Sequence, residues 1–496
     1  MATSEIIGER RNGLSEITAR QRLIVVLLLG ANFMMSADFS ILNVALPVVG
    51  EAVGLSVNNL PWLTTAFALP AAGLSLLFGR LGDLYGRRGI FLAGLSLLVA
   101  ASLLGGVSTG PTSLLIARTL QGVASAMTVP VALSLLITTF ADEKQRAWVL
   151  GLNGSLLSGG FTVGAILSGM LVGVLSWRWA FLINVPFALA IIVLTPIVVP
   201  ASRSPECVRL DVPGAVTVTF GLFAIVFGIT ERSLLALIVG LALLALFFRI
   251  ERRAAVPLVA IEMLVRPSVR WGNFAALIIF SMEAGLVFLV TLYIQDVLHF
   301  GPLETGLIFG VPGLASVVAG IVAGRIIARR GARIVLLAAL LVQGGMTAPL
   351  ILLTTQPIWL WLLIPALFGG FFGHITAIVA ATVTATSEVA DTNKGVATGL
   401  IATSQRVAVT IGIPTLAAVM AIRADLLAGI HLALAADVAL TLAAVAMIST
   451  RVSRLRAAHT PNDGFGSTPQ APCGAGNGRN RRVSPVVAAL RRSSPF

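Results

Sequence analysis

Charge, cysteine and histidine are all scarce in this chain. Only 11% of its 496 residues are charged against 57% hydrophobic, and the mean hydropathy is +0.96. A water-soluble fold of that composition would have too little polar surface to cover itself, so a soluble globular class is excluded. Two cysteines, Cys207 and Cys473, rule out a disulfide framework. Neither has a second Cys or a His at metal-ligand spacing, so both read as incidental thiols and no metal or cofactor is expected. Also missing are a G-x-x-x-x-G-K-[ST] phosphate loop, a nucleophile elbow and any polar stretch long enough to hold a catalytic domain. Their absence excludes an ATP-driven pump and a hydrolase, and the chain is not expected to be an enzyme.

What is present is a ladder of apolar segments. A bilayer core about 30 Å thick needs roughly 20 helical residues to cross. Fourteen stretches of about that length run over 23–46, 60–79, 89–107, 112–139, 148–174, 179–199, 213–229, 233–249, 272–294, 303–328, 333–353, 358–385, 396–421 and 430–449. The fold class is therefore an all-α polytopic membrane protein with fourteen transmembrane helices. Of the 34 Lys and Arg, all but Arg118, Arg178, Arg232, Arg406 and Arg423 fall before span 1 or after an even-numbered span. By the positive-inside rule both termini are cytoplasmic, and the protein is a multi-pass protein of the cell (inner) membrane. The net charge of +13 is accounted for by topology and anionic lipid headgroups. With the basic residues spread over many loops and no aromatic interleaving, nucleic acid is not a partner. Arg10 and Arg11 precede span 1 as in a signal peptide, but that span is too long and lacks an A-x-A cleavage site, so it is retained. From about 457 the chain is rich in Pro, Gly, Ser and Arg, a composition that cannot bury a core and reads as a disordered tail.

An internal repeat organises the ladder. Gly79-Arg80-Leu81 with Gly86 and Arg88 matches Gly324-Arg325-Ile326 with Gly331 and Arg333, and each copy follows the second span of a six-span block. The expected architecture is six plus two plus six. It comprises a cytoplasmic segment 1–22, a bundle over 23–200, two inserted helices with linkers over 201–270, a second bundle over 271–450 and a basic tail over 451–496. Parallel repeats of this kind rock around a central cavity in transporters, which makes transport the leading expectation.

The decapeptide Gly79-Arg80-Leu81-Gly82-Asp83-Leu84-Tyr85-Gly86-Arg87-Arg88 resembles the loop between helices 2 and 3 of the major facilitator superfamily. Asp38 to Pro47 (DFSILNVALP), Arg118-Thr119-Leu120-Gln121-Gly122 and Trp177 to Pro186 (WRWAFLINVP) narrow the resemblance to its fourteen-span drug:H+ antiporters, the EmrB/QacA type. The resemblance implies a major facilitator fold and proton-driven export of hydrophobic or amphipathic small molecules. It implies a cytoplasmic gate latch at Gly79, Arg80, Asp83, Gly86, Arg87 and Arg88, and a monomer with substrate, protons and lipids as partners. The alternatives are a dedicated exporter of an endogenous lipid or natural product and a receptor that moves nothing. Span 5 departs from the family's G-P-x-x-G-G signature, reading Gly164-Ala165-Ile166-Leu167-Ser168-Gly169. Gly160, Gly164 and Gly169 keep the small residues for close helix packing, whereas Ala165 removes the proline kink.

Few charges lie well inside the spans: Asp38, Glu283 and Asp437, with Arg118 and Arg406. Facing lipid at the bilayer centre each would cost at least about 2.5 kcal/mol, so each is expected to face a cavity or another charge. Asp38 reads as a proton carrier or substrate counter-charge. Arg118 either tunes it or serves as a structural hub between helices. Glu283 and Asp437 either bind protons or cations, or pair across helices, for instance with Arg406. His374 in span 12 reads as a packing residue.

Overall fold

The computed structural model describes residues 17–140, 142–200, 211–254, 261–389 and 394–457. Cys207, Cys473, Arg10, Arg11, Arg203, Arg209 and the tail beyond 457 lie outside the described residues. Among the described residues there is no strand. Helices are what a bilayer permits, because they satisfy every backbone group within the segment. Spans 1 to 14 are Ala19–Ala52, the bent pair Val57–Gly73 and Leu77–Tyr85, Arg87–Gly106, Pro111–Thr139, Trp148–Leu175, Trp179–Val198, Val212–Thr230, Leu234–Glu251, Pro267–Val297, Pro302–Arg330, Ala332–Leu352, Pro357–Thr386, Val396–Met420 and Leu426–Thr450. Thirteen are continuous. Span 2 instead bends by 51° just after Pro70 and Gly73, which cannot sustain a straight helix.

Local signals set the starts. Thr18 caps span 1 in a reciprocal box with Gln21, Asp142 caps the span 5 helix through the Gln145 amide, and Asp211 and Ser233 cap spans 7 and 8. At the tight turns after spans 2 and 10, Gly86 and Gly331 have φ of 101° and 81°, a region other residues enter only at a cost.

The duplication reaches individual hydrogen bonds. Gly86 and Gly331 are 245 residues apart, and so are Ser36 and Ser281. Ser36 donates to the Leu157 carbonyl at 2.6 Å, tying span 1 to span 5. Ser281 donates to the Ala408 carbonyl at 3.0 Å, tying span 9 to span 13.

Arginines gather at one end of the helices. Arg20 Nε donates to the Val198 carbonyl and Arg88 Nη1 to the Val199 carbonyl, at 2.9 and 3.0 Å, and Arg266 Nη1 reaches the Glu388 carbonyl at 3.5 Å. We call this the basic end and the other the distal end. At the distal end the two halves share one apolar core, in which Ile41, Leu46, Leu60 and Leu63 of spans 1 and 2 pack with Phe288, Ile294, Phe309 and Leu363 of spans 9, 10 and 12. Gln295 also donates to the Val44 carbonyl across the halves at 2.7 Å. Toward the basic end the cores separate. Leu28, Phe91, Leu136 and Phe140 belong to one, and Phe247, Val269, Ala397 and Leu400 to another. The halves are thus joined distally and parted toward the basic end.

Span 7 lies along the seam between spans 2 and 13, and span 8 packs against span 7. Thr219 of span 7 donates to the Gly73 carbonyl at 3.1 Å. At the hairpin tip Glu231 accepts from Trp62 Nε1 at 3.3 Å, and Arg232 Nη2 reaches the Ala418 carbonyl at 3.4 Å, so the tip touches both halves.

Candidate functional site

Asp38 lies on span 1 at 1% exposure and Arg118 on span 4 at 0%. Burying two charges in an apolar bundle demands that they meet, and they do: Arg118 Nη1 donates to Asp38 Oδ2 at 3.0 Å. Asn184 Nδ2 of span 6 donates to Asp38 Oδ1 at 2.5 Å, and Gln121 Nε2 to the same oxygen at 3.3 Å. Gln121 also donates to Ser102 of span 3 at 3.1 Å and accepts from Arg118 Nη1 at 2.8 Å. Arg118 Nε donates to the Leu63 carbonyl at 3.2 Å, and its guanidinium carbon stands 4.5 Å from the Phe67 ring centroid. Gly122, one residue beyond Gln121, lets span 4 approach the Phe67 carbonyl and Pro70 so closely that a methyl group would collide. That approach brings Arg118 to Leu63. The network thus joins spans 1, 2, 3, 4 and 6 around one carboxylate.

Arg118 also has acceptors at Gln121 and Leu63 and the Phe67 face, while its Nη2 is buried with no partner among the described residues. Asp38 itself takes bonds from Arg118 and Gln121 of span 4 and Asn184 of span 6, so its carboxylate is held directly between three helices.

Gln121 and Asn184 lie in motifs that carry the family resemblance but have no site role assigned by it, and Ser102 and Phe67 lie in none. Gln121 carried a usable signal, standing three residues after Arg118 on the same helix face. Asn184 was a polar residue inside an apolar helix. Replacing Asn184 with Ala removes the shortest bond to Asp38. It is expected to lower stability by about 1–3 kcal/mol, read as a reduced thermal midpoint of the purified protein in detergent.

The remaining intramembrane charges stand apart. Glu283 lies 245 residues beyond Asp38, at the equivalent place on span 9. It is half-buried, with no hydrogen bond or ion pair among the described residues. Asp437 of span 14 is buried, with Oδ2 unpartnered among them. Arg406 pairs with neither acid; its Nη1 donates to Ser75 Oγ of span 2 at 2.8 Å. His374 packs between Phe280 and Phe371, ring centroids 5.1 and 5.9 Å away.

In the turn after span 2, Arg87 Nε donates to Asp83 Oδ1 at 2.9 Å across the break at Gly86 between two helices, and both are partly exposed. Arg88 holds the end of span 6, Gly86 makes the left-handed turn, Gly79 stands in ordinary contact with Pro130, and Arg80 is also engaged. The bonds of Asp83, Arg87 and Arg88 stay within the first half. On span 5, a side chain at Gly160 or Gly164 would place its Cβ 2.7 Å from the Phe33 carbonyl or 2.6 Å from the Ala37 carbonyl of span 1. Gly169 faces the other half, 2.7 Å by the same measure from the Pro302 carbonyl of span 10. The helix runs α-helical through Ala165 to Met170, then takes a wider π turn over Leu171–Leu175.

A family model described as the Major Facilitator Superfamily matches residues 28–413. The puromycin resistance protein pur8 of Streptomyces alboniger is 33% identical over 404 residues, covering 79% of this chain and 80% of that protein. The cephamycin export protein CmcT of Amycolatopsis lactamdurans is 34% identical over 330 residues, 64% and 68% of the two chains. The lincomycin resistance protein of Streptomyces lincolnensis is 30% identical over 344 residues, 66% and 71%. Among solved structures, the human organic anion transporter MFSD10 aligns over 87% of this chain and 100% of its own with a TM-score of 0.59 at 17% identity. The nucleoside transporter NupG aligns over 86% and 99% with a TM-score of 0.61 at 11% identity, and both show likeness of fold.

Proposed function

Because the chain belongs to the major facilitator superfamily, we propose that it is a secondary transporter, not an enzyme, that exports hydrophobic or amphipathic small molecules in exchange for protons. The observation that carries this reading is the Asp38–Arg118 pair, buried where five helices meet in a bundle whose halves are joined at one end and parted at the other. The relatives' names, two for antibiotic resistance and one for antibiotic export, support an export direction. The basic end is the cytoplasmic one by the positive-inside rule, so the end at which the apolar cores separate faces the cytoplasm. Asp38 carries the proton, with Arg118 responding to its charge, and Glu283 and Asp437 supply further proton or cation positions. The Asp83–Arg87 turn acts as a latch that engages the other half when the cytoplasmic side closes. The protein works as a monomer in the cell membrane, with substrate, protons and lipids as its partners and no nucleic acid, metal or cofactor. Energy comes from the proton gradient, about 2.3 kcal/mol per proton for 100 mV plus the pH term.

Inside-out vesicles with an acidified lumen test this. A panel of lipophilic cations and neutral antibiotics should contain compounds that dissipate the pH gradient only in vesicles bearing the protein. A panel without effect, with the protein verified in the membrane, would reject drug:proton antiport. It would favour a dedicated exporter of an endogenous product, the reading that kinship to a cephamycin export protein supports.

A further inference from the structure

Arg406 is the intramembrane cation that the proposed proton pathway leaves unused. It stands about 15 Å along span 13 from the start of that span at Val396, at the rise of a helix. One bond holds it, from Nη1 to Ser75 Oγ, and the Ser75 hydroxyl in turn donates a hydrogen bond to the Ala71 carbonyl at 2.5 Å. Among the described residues no carboxylate lies in salt-bridge reach of Arg406, and its guanidinium makes no second hydrogen bond. A guanidinium has five N–H donors, so most of this one is uncommitted. At membrane depth, an arginine without an acid is a functional-site candidate by default.

Arg406 faces a cavity of about 350 Å³ between spans 2, 4 and 13, within the size range of small-molecule pockets. Its walls are apolar, with Val129, Leu133 and Ile137 of span 4 along one side. The Ser134 hydroxyl lines the same space and has no hydrogen bond among the described residues. At the rim Arg87 is already neutralised by Asp83, so the unbalanced positive charge is the deeper one, at Arg406. The cavity thus offers a cation at its depth, a free hydroxyl partway up its wall and hydrocarbon on its flank. That is the complement of an amphipathic anion.

Building on the transporter reading, we propose that this cavity is a binding subsite for the anionic oxygen headgroup, carboxylate or phosphate, of an amphipathic molecule, with Arg406 as its counter-charge and span 4 as the bed for its apolar body. Arg406 and Ser75 belong to different halves, so a headgroup that draws Arg406 away from Ser75 also loosens a bond between the halves.

The test uses the full chain in phosphatidylcholine nanodiscs with two probes, dansyl-undecanoic acid and its methyl ester, followed by energy transfer from the protein's tryptophans. Wild type should bind the acid about tenfold more tightly than the ester, as a charge-assisted contact requires. Arg406→Gln should erase the preference while binding the ester unchanged, which shows the cavity intact, and Arg406→Lys should retain most of it. Equal affinity of wild type for acid and ester, no binding of either, or a preference that survives Arg406→Gln would overturn the subsite. Replacing part of the lipid with phosphatidylglycerol separates the sources. Suppression of acid binding in wild type assigns the site to lipid headgroups; undiminished binding assigns it to a free amphiphile. The vesicle assay reports on the transporter reading by itself. Proton movement without acid preference sinks the subsite alone, and acid preference without proton movement sinks antiport alone.

Discussion

Asp38→Asn is expected to abolish compound-driven proton movement in inside-out vesicles, to below about a hundredth of the wild-type rate. The substitution keeps the size of the side chain and its ability to meet Gln121 and Asn184, and removes only the titrating charge. It also leaves Arg118 buried with no anion, and removing one partner of a buried pair costs about 3–5 kcal/mol. Loss of stability and loss of coupling would thus arrive together. The double substitution Asp38→Asn, Arg118→Gln separates them. It restores neutrality, so the thermal midpoint should recover most of what the single variant lost, while proton movement should stay absent. Recovery of both in the double variant would show that the pair is scaffolding and that the proton travels elsewhere, with Glu283 the next position to examine.

Cross-linking the distal end should stop transport completely and reversibly. The position where a side chain at Gly173 would put its Cβ lies 3.7 Å from Leu303 Cβ, within the range a disulfide needs. The pair joins spans 5 and 10, one from each half, beside the shared apolar core. With Cys207 and Cys473 replaced by Ser, Gly173→Cys and Leu303→Cys should form a bond under mild oxidation and hold the halves together at that end. Export requires that end to open, so oxidised protein should move no substrate and a reductant should restore it. Oxidised protein that transports at the reduced rate would show that these span ends need not part.

Much of the helical plan was readable because the apolar runs and the arginine rhythm are long-range averages that a few residues cannot disturb. The motif glycines were equally legible, since Gly86 and Gly331 occupy a backbone region that little else tolerates. The bend in span 2 was not, because Pro70 and Gly73 sit in an apolar run that reads as continuous and proline is common in membrane helices. Asp38 and Arg118 announced themselves by cost, each too expensive to leave facing lipid. Their neighbours Asn184 and Ser102 did not, because a neutral polar side chain in a span has many inexpensive resting places. The bond from Arg406 to Ser75 spans 331 residues, and only folding reveals which of several polar groups an unpaired arginine meets.

Duplication should make the two flanks of the molecule equivalent, but the extra helical hairpin falls on one of them. In the proposed export cycle the distal face opens between spans 2 and 13, and the contacts of Trp62 with Glu231 and of Arg232 with Ala418 cannot then both persist, so the hairpin rides with one half and sheds the other. On the opposite flank, spans 5 and 10 meet through Gly169 and Gly306, with Thr162 against Gly313 and Ile166 against Gly310, a glycine-lined seam packed directly helix to helix. The proposed opening therefore has to shed a hairpin contact on one flank and part a direct helix–helix seam on the other, in a protein whose halves descend from the same plan.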